Sequence, residues 1–172
     1  MVELGSGDFV YETTGEDWGK LQPDTTYKEA TAVAVDANDN VFVFNRGTHP
    51  MIVFNADGDI LDTWGHGEFD NPHGVTIGPD GSIYTVDNGD HTVKKFTPKG
   101  EKLAEIQAQH PAKAMSGDPF CYPAHLAIDP ATGDMLVADG YGNARVHKYD
   151  PDGNLIMSWG ESGTAPGQFN IV

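Results

Sequence analysis

The chain has 172 residues, with 26 Asp and Glu against 10 Lys and Arg, for a formal net charge of −16. That charge repels polyanions and so argues against nucleic acids and anionic membrane surfaces as partners. At 38% apolar the chain has enough material for a buried core, and no apolar run approaches the length of a membrane-spanning helix. Met1–Tyr11 has neither a basic start nor an apolar run, so no signal peptide is expected and the cytoplasm is the expected compartment of the chain as given. Cys121 is the single cysteine, so no intrachain disulfide forms. The 21 glycines and 11 prolines are spread along the chain among Asn and Asp, which points to a turn-rich, all-β protein.

One unit recurs three times. The first copy predicts strands at Ala32–Asp36, Val41–Asn45, Met51–Asn55 and Ile60–Gly65, with turns at Asn38–Asn40 and Ala56–Gly58. The second predicts Gly74–Gly78, Ser82–Asp87, Thr92–Thr97 and Lys102–Gln107, with turns at Pro79–Gly81 and Pro98–Gly100. The third predicts His125–Asp129, Asp134–Asp139, Arg145–Asp150 and Asn154–Gly160, with turns at Pro130–Gly133 and Pro151–Gly153. Val33, Val75 and Leu126 are equivalent, at spacings of 42 and 51 residues. The longer spacing comes from an insertion, Ala108–Tyr122. The first two strands of each copy are apolar at most positions, as expected for strands buried on both faces, and the last two alternate more, as expected nearer a rim.

Four short strands per repeat, at a period near 40 to 45 residues, read as the blades of a β-propeller. The absence of a helical apolar period excludes a helical solenoid. Blades are expected at about 30–65, 69–107 and 120–160, with a stub of a fourth at 164–172, in a single incomplete domain. Propellers close with four or more blades. The expectation is therefore either the N-terminal half of a longer ring or two chains combining into six blades, with self-association through the open edge.

A histidine just ahead of an innermost strand is the first candidate for chemistry. His73 lies two residues before Val75, where residues just ahead of an innermost strand converge on a propeller's channel; the equivalent positions are Thr31 and Ala124. The other reading of His73 is a turn histidine bonded to backbone. Arg46 and Tyr141 are singled out by the family resemblance given below; beside it, Arg46 is read either as a carboxylate binder or as a blade-to-blade tie, and Tyr141 either as a base or as an aromatic lining the mouth. Asn45, Asp87 and Asp139 recur in every blade and are read as turn or blade-linking residues. Arg145 is read as tying blades together. His49, His66, His91, His110 and His147 share no spacing and are read as surface residues, whereas His125 could face the channel.

The stretch Val137–Asp150 (VADGYGNARVHKYD), followed by PDG and WG, resembles the NHL-repeat propellers. The set Phe44–Gly47 (FNRG), Pro72–Gly74 (PHG), Phe120–Pro123 (FCYP), Asp139–Arg145 (DGYGNAR), Trp159–Glu161 (WGE) and Pro166–Phe169 (PGQF), in this order, is similar to peptidyl-α-hydroxyglycine α-amidating lyase. The resemblance implies an all-β fold, part of a six-bladed propeller with four-stranded NHL-type blades. It implies a metal-dependent lyase that splits a peptidyl-α-hydroxyglycine into a peptide amide and glyoxylate. By the same resemblance His73 is one of three zinc-binding histidines, Arg46 is the active-site arginine and Tyr141 the catalytic tyrosine. Val33 and Val75 match positions whose backbone carbonyls bind calcium.

The remaining metal ligands of the family fall beyond Val172, so this chain alone is expected to be inactive. It departs from the family at Asn45, where histidine is common, and at Gly142, where the family has the cysteine that pairs with the equivalent of Cys121. The alternatives are a non-catalytic NHL-type binding module and a lactonase-type propeller hydrolase. The expected partner is a small-molecule or peptide substrate.

Overall fold

The computed structural model describes residues 2–13, 15, 17–108 and 111–172. It opens with a two-stranded hairpin, β1 (Glu3–Ser6) and β2 (Phe9–Glu12), turning at Gly7. Gly7 has a φ of 62°, the left-handed backbone that a two-residue hairpin turn requires and glycine supplies without steric cost.

Three four-stranded antiparallel sheets follow in chain order. The first is β3 (Ala30–Val35), β4 (Val41–Asn45), β5 (Met51–Phe54) and β6 (Ile60–Trp64). The second is β7 (Pro72–Ile77), β8 (Ile83–Asp87), β9 (Thr92–Phe96) and β10 (Lys102–Gln107). The third is β11 (His125–Ile128), β12 (Met135–Asp139), β13 (Arg145–Tyr149) and β14 (Leu155–Trp159), with a four-residue helical turn, α1 (Gly140–Asn143), between β12 and β13. Every sheet is an up-and-down meander in which each strand pairs with its neighbour in sequence. This is the blade of a β-propeller, and the described residues are all-β apart from α1.

Register confirms the repeat. Val33 faces Val43, Val75 faces Thr85 and Leu126 faces Val137, so the three positions are equivalent in space as in sequence. The cores lie between the sheets. Phe42, Phe44, Met51 and Val53 of the first blade pack with Val75, Ile83 and Phe96 of the second. Tyr84, Val86 and Val93 of the second pack with Leu126, Met135, Val137 and Tyr149 of the third, and Phe120 of the insertion joins them. Trp64 and Phe96 stand 5.1 Å apart across the first seam.

Burial corrects the expected ordering of the strands. The second and third strands are the enclosed ones: β5 and β8 are buried throughout. The first strand of a blade is enclosed only where a neighbouring blade lies against each of its faces. In β3 this leaves Val33 60% exposed, whereas Val75, at the equivalent place in β7 and flanked by blades on both sides, is 2% exposed.

His147 is also corrected: it is fully buried, not a surface residue. It hydrogen-bonds Ser158 Oγ through Nδ1 at 2.7 Å and Asp139 Oδ2 through Nε2 at 3.1 Å. His66 is exposed, His49 and His91 are half-buried, and His110 lies outside the described residues.

Candidate functional site

The site begins with an irregularity in the innermost strands. In β3 the pairing register slips between Ala30 and Ala32, and in β7 between Pro72 and Gly74. The extra residues are Thr31 and His73, and such a bulge turns its side chain away from the regular alternation. Thr31 bonds back to its own sheet, Oγ1 donating to the Phe44 carbonyl at 3.2 Å. His73 instead crosses to the third blade, with Nδ1 2.8 Å from the carbonyl oxygen of Ala124. A carbonyl only accepts, so the His73 proton sits on Nδ1 and the lone pair on Nε2. The Tyr141 hydroxyl, 3.2 Å from Nε2, is then the donor to it. Gly74 permits this seam: a Cβ there would stand 2.7 Å from the Ala124 carbonyl oxygen and 2.6 Å from His125 Nδ1.

Tyr141 is carried by α1 and is 54% exposed. Its turn is anchored from below by Asp139, a fully buried carboxylate. Asp139 accepts from the Cys121 amide at 2.9 and 3.0 Å, from Asn143 Nδ2 at 2.7 Å and from His147 Nε2. Gly142 donates its amide to the Cys121 carbonyl at 3.0 Å, and the Cys121 thiol lies directly against the space a Gly142 side chain would occupy. Burial, and then the charge of Asp139, push the Cys121 thiol pKa up. Asp87 does the same work in the second blade, accepting from the amides of Asp70, Asn71 and Gly89, and Asn45 caps the corresponding loop of the first by accepting from Gly47. These recurring residues are turn anchors.

Arg46 arrives from the end of β4. Its Nε donates to the Pro72 carbonyl at 3.2 Å, which ties the first blade to the second, and Nη1 donates to Glu29 at 2.7 Å. The arginine's hydrogen bond, and next its charge, hold Glu29 below the usual carboxylate range. Nη2 has no protein partner among the described residues.

Arg46, His73 and Tyr141, from three blades, line one open cleft of about 210 Å³ with Asn88 and Tyr122. Asn88 and Tyr122 are additions that the sequence reading did not single out. His125 lies next to this cleft; burial, and then the proximity of His73, lower its pKa. Arg145 lies against Gly117 of the insertion and not in the cleft.

His73 has one feature of a metal-binding histidine, a ring nitrogen that donates to a backbone carbonyl, while its other nitrogen accepts the Tyr141 hydroxyl on the cleft side. Among the described residues no three His, Cys, Asp or Glu side chains gather as a metal site, so the chain supplies one imidazole where a catalytic zinc takes three protein ligands. Val33 and Val75 sit at equivalent positions on adjacent innermost strands, β3 and β7. Two backbone carbonyls there would be a minority of the six to eight oxygens that calcium takes.

Comparison with known proteins agrees with this architecture. The NHL repeat model matches residues 69–96, the second blade. The rat peptidylglycine α-amidating monooxygenase is 28% identical over 198 aligned residues, covering 96% of this chain and 20% of that protein. Peptidyl-α-hydroxyglycine α-amidating lyase 1 of Drosophila melanogaster is 37% identical over 108 residues, covering 62% of this chain and 20% of that protein. The chain thus spans about a fifth of the length of these relatives. Among solved structures, virginiamycin B lyase from Staphylococcus aureus superposes with a TM-score of 0.61 at 19% identity, over 79% of this chain and 42% of that one. The chain is an array of propeller blades, of which the second carries the NHL repeat match, and it is similar in sequence to the peptidyl-α-hydroxyglycine α-amidating lyases and the amidating monooxygenases.

Proposed function

We propose that this chain contributes three blades of an enzyme that cleaves the C–N bond of a peptidyl-α-hydroxyglycine, with the cleft of Arg46, His73 and Tyr141 as its share of the active site. The observation that carries the reading is that these three side chains, far apart in sequence, meet in one cleft with a hydrogen bond between two of them.

The reaction needs the hydroxyl proton removed, the C–N bond broken and the nitrogen protonated. Tyr141 takes the proton from the hydroxyl at its phenolic oxygen. As the carbon–oxygen double bond of glyoxylate forms, the C–N pair leaves on nitrogen. The proton held by Tyr141 then passes to that nitrogen and completes the amide. To accept that proton Tyr141 reacts as its phenolate, and Arg46 is the cationic side chain that lines the same cleft. The unpartnered Nη2 of Arg46 is the group that holds the substrate carboxylate; the Glu29 and Pro72 bonds fix the guanidinium's plane.

His73 Nε2 would hold zinc together with ligands outside this chain, and the ion when bound supplies a Lewis acid that lowers the pKa of the substrate hydroxyl. The Val33 and Val75 carbonyls would hold a calcium ion that braces the first two blades. With His73 as the one histidine lining the cleft, the 172 residues alone bind zinc weakly and turn over no substrate.

The test is glyoxylate release from an N-acyl-α-hydroxyglycine by the product of the complete open reading frame that encodes this chain. The expected result is turnover that a chelator abolishes and zinc restores, at about one zinc per molecule. No glyoxylate, or full turnover by zinc-free protein, overturns the reading.

A further inference from the structure

Tyr122 is the wall of the cleft that the proposed chemistry leaves unused. Its ring is 47% exposed and lines the cleft with Arg46, His73, Asn88 and Tyr141. Its backbone is left-handed, with φ at 57°, a conformation that is unfavourable for a bulky residue and persists only where the surroundings impose it. Here they do. The Tyr122 amide donates to His91 Nδ1 at 3.0 Å, and the His91 ring packs edge-on against the Tyr122 ring at 4.6 Å between centroids. The preceding amide is held by Asp139 and the following carbonyl, that of Pro123, accepts from Asn88 Nδ2 at 3.4 Å.

The brace comes from two blades, His91 and Asn88 from the second and Asp139 from the third. It fixes where the ring stands while leaving its hydroxyl without a protein partner among the described residues. The side-chain amide of Asn88 is occupied in this work, since its oxygen also accepts from Asn71 Nδ2 at 3.0 Å. With Arg46 assigned to the carboxylate, and His73 and Tyr141 to the hydroxyl, the Tyr122 ring is the lining surface left to meet the substrate on the other side of the scissile bond.

We propose that Tyr122 is the specificity-determining residue for the group on the nitrogen side of that bond: a pre-positioned aromatic platform that selects an apolar or aromatic side chain in the residue preceding α-hydroxyglycine. The proposal rests on the lyase reading above. A fixed ring stacks on an aromatic partner at little further loss of freedom, and such contacts together with the area they cover amount to about tenfold in affinity.

The experiment compares kcat/KM of the complete protein for two otherwise identical peptides, with Phe or Gly before α-hydroxyglycine. In parallel, calorimetry measures binding of the unhydroxylated, uncleavable Phe-Gly and Gly-Gly peptides. The wild type should favour Phe by about tenfold in both, mostly through KM. Tyr122→Phe should keep the preference. Tyr122→Asn, whose side chain tolerates left-handed backbone, should bring the ratio to within about twofold. Aromatic-selective binding that is lost in Tyr122→Asn, without any glyoxylate release, would refute the lyase reading and leave the platform standing. A wild-type ratio near one, or a ratio untouched in Tyr122→Asn, overturns the platform.

Discussion

Replacing Asp139 with alanine should loosen both halves of the cleft wall at once, because this one carboxylate holds the Cys121 amide on one side and the Tyr141 turn on the other. It is fully buried and accepts from the Cys121 amide, Asn143 Nδ2 and His147 Nε2 at 2.7 to 3.1 Å. A hydrogen bond to a charged group contributes about 1.5–3 kcal/mol, and breaking a buried charged network by removing one partner costs about 3–5 kcal/mol, since the donors left behind stay dehydrated. In a chain of this size that is a fall in Tm of roughly 10 °C. His147→Ala removes one of the three donors and should cost about 1–3 kcal/mol. The double variant should be less destabilised than the sum of the two by more than about 0.5 kcal/mol, because they share a contact. Urea unfolding followed by tryptophan fluorescence measures all three. An Asp139→Ala chain within about 0.5 kcal/mol of the parent, the range of an ordinary surface substitution, would refute the view of Asp139 as the anchor of the site.

Three further outcomes follow from the same contacts. Gly74→Ala puts a Cβ against the carbonyl that orients His73; it should cost about 1–3 kcal/mol by overpacking and depress glyoxylate release by the complete protein, and unchanged Tm with unchanged turnover would dismiss the steric role of Gly74. Cys121, buried and with its thiol pKa raised, should resist iodoacetamide at pH 8 in the folded chain and react once urea unfolds it; prompt labelling without urea would contradict the packing around Gly142. Asp80, Asp134 and Asp150 have folded pKa values below the ordinary one, held down first by the hydrogen bonds of Lys95, Lys148 and Asn154 respectively. Their stabilisation is complete above the unfolded value of about 3.9 and is lost as pH falls through the lower folded values. Replacing all three with Asn should therefore flatten the decline of Tm below pH 4, and an equal decline in the variant would show that these carboxylates do not drive it.

Much of the fold was legible because each repeat announces its own turns. Gly58, Gly81, Gly100, Gly133 and Gly153 all carry φ values of 78° to 85° at the ends of strand-joining turns, and only glycine takes that backbone freely. Strand limits read from these turns fall within two residues of those observed. The hairpin at residues 3–12 was not read, although Gly7–Asp8 between short apolar runs is the usual signature of one.

Burial within the blade was less legible than its limits. His147 reads as a surface residue in the sequence because it shares no spacing with the other histidines. Aligned through the ladder, however, it is equivalent to Ile52 and Lys94, opposite Val43, Thr85 and Val137. All three positions are buried, and the two basic ones are paired with acids, Lys94 with Asp90 and His147 with Asp139. The repeat carried that information; single-strand alternation did not.

The site divides in the same way. Arg46, His73 and Tyr141 came from a resemblance in ordered motifs, and neither periodicity nor charge would have brought them together. Tyr122 and Asn88 gave no local signal, because what makes them part of the cleft is the bracing of one loop by another blade. The bulge at His73, which turns the ring across the seam, is a slip of one residue in a pairing ladder and leaves no mark in composition.

The most direct measurement is steady-state glyoxylate release from an N-acyl-α-hydroxyglycine by the complete protein and by its Tyr141→Phe variant, with Tm recorded for both. The account predicts that removing one oxygen atom from a half-exposed ring lowers kcat by about 10²-fold or more, the usual reach of a general base, while moving Tm by no more than 1–2 °C, about what a surface change of 0.5 kcal/mol gives. Equal turnover in the two proteins would place Tyr141 outside the chemistry and remove the basis for treating this cleft as catalytic.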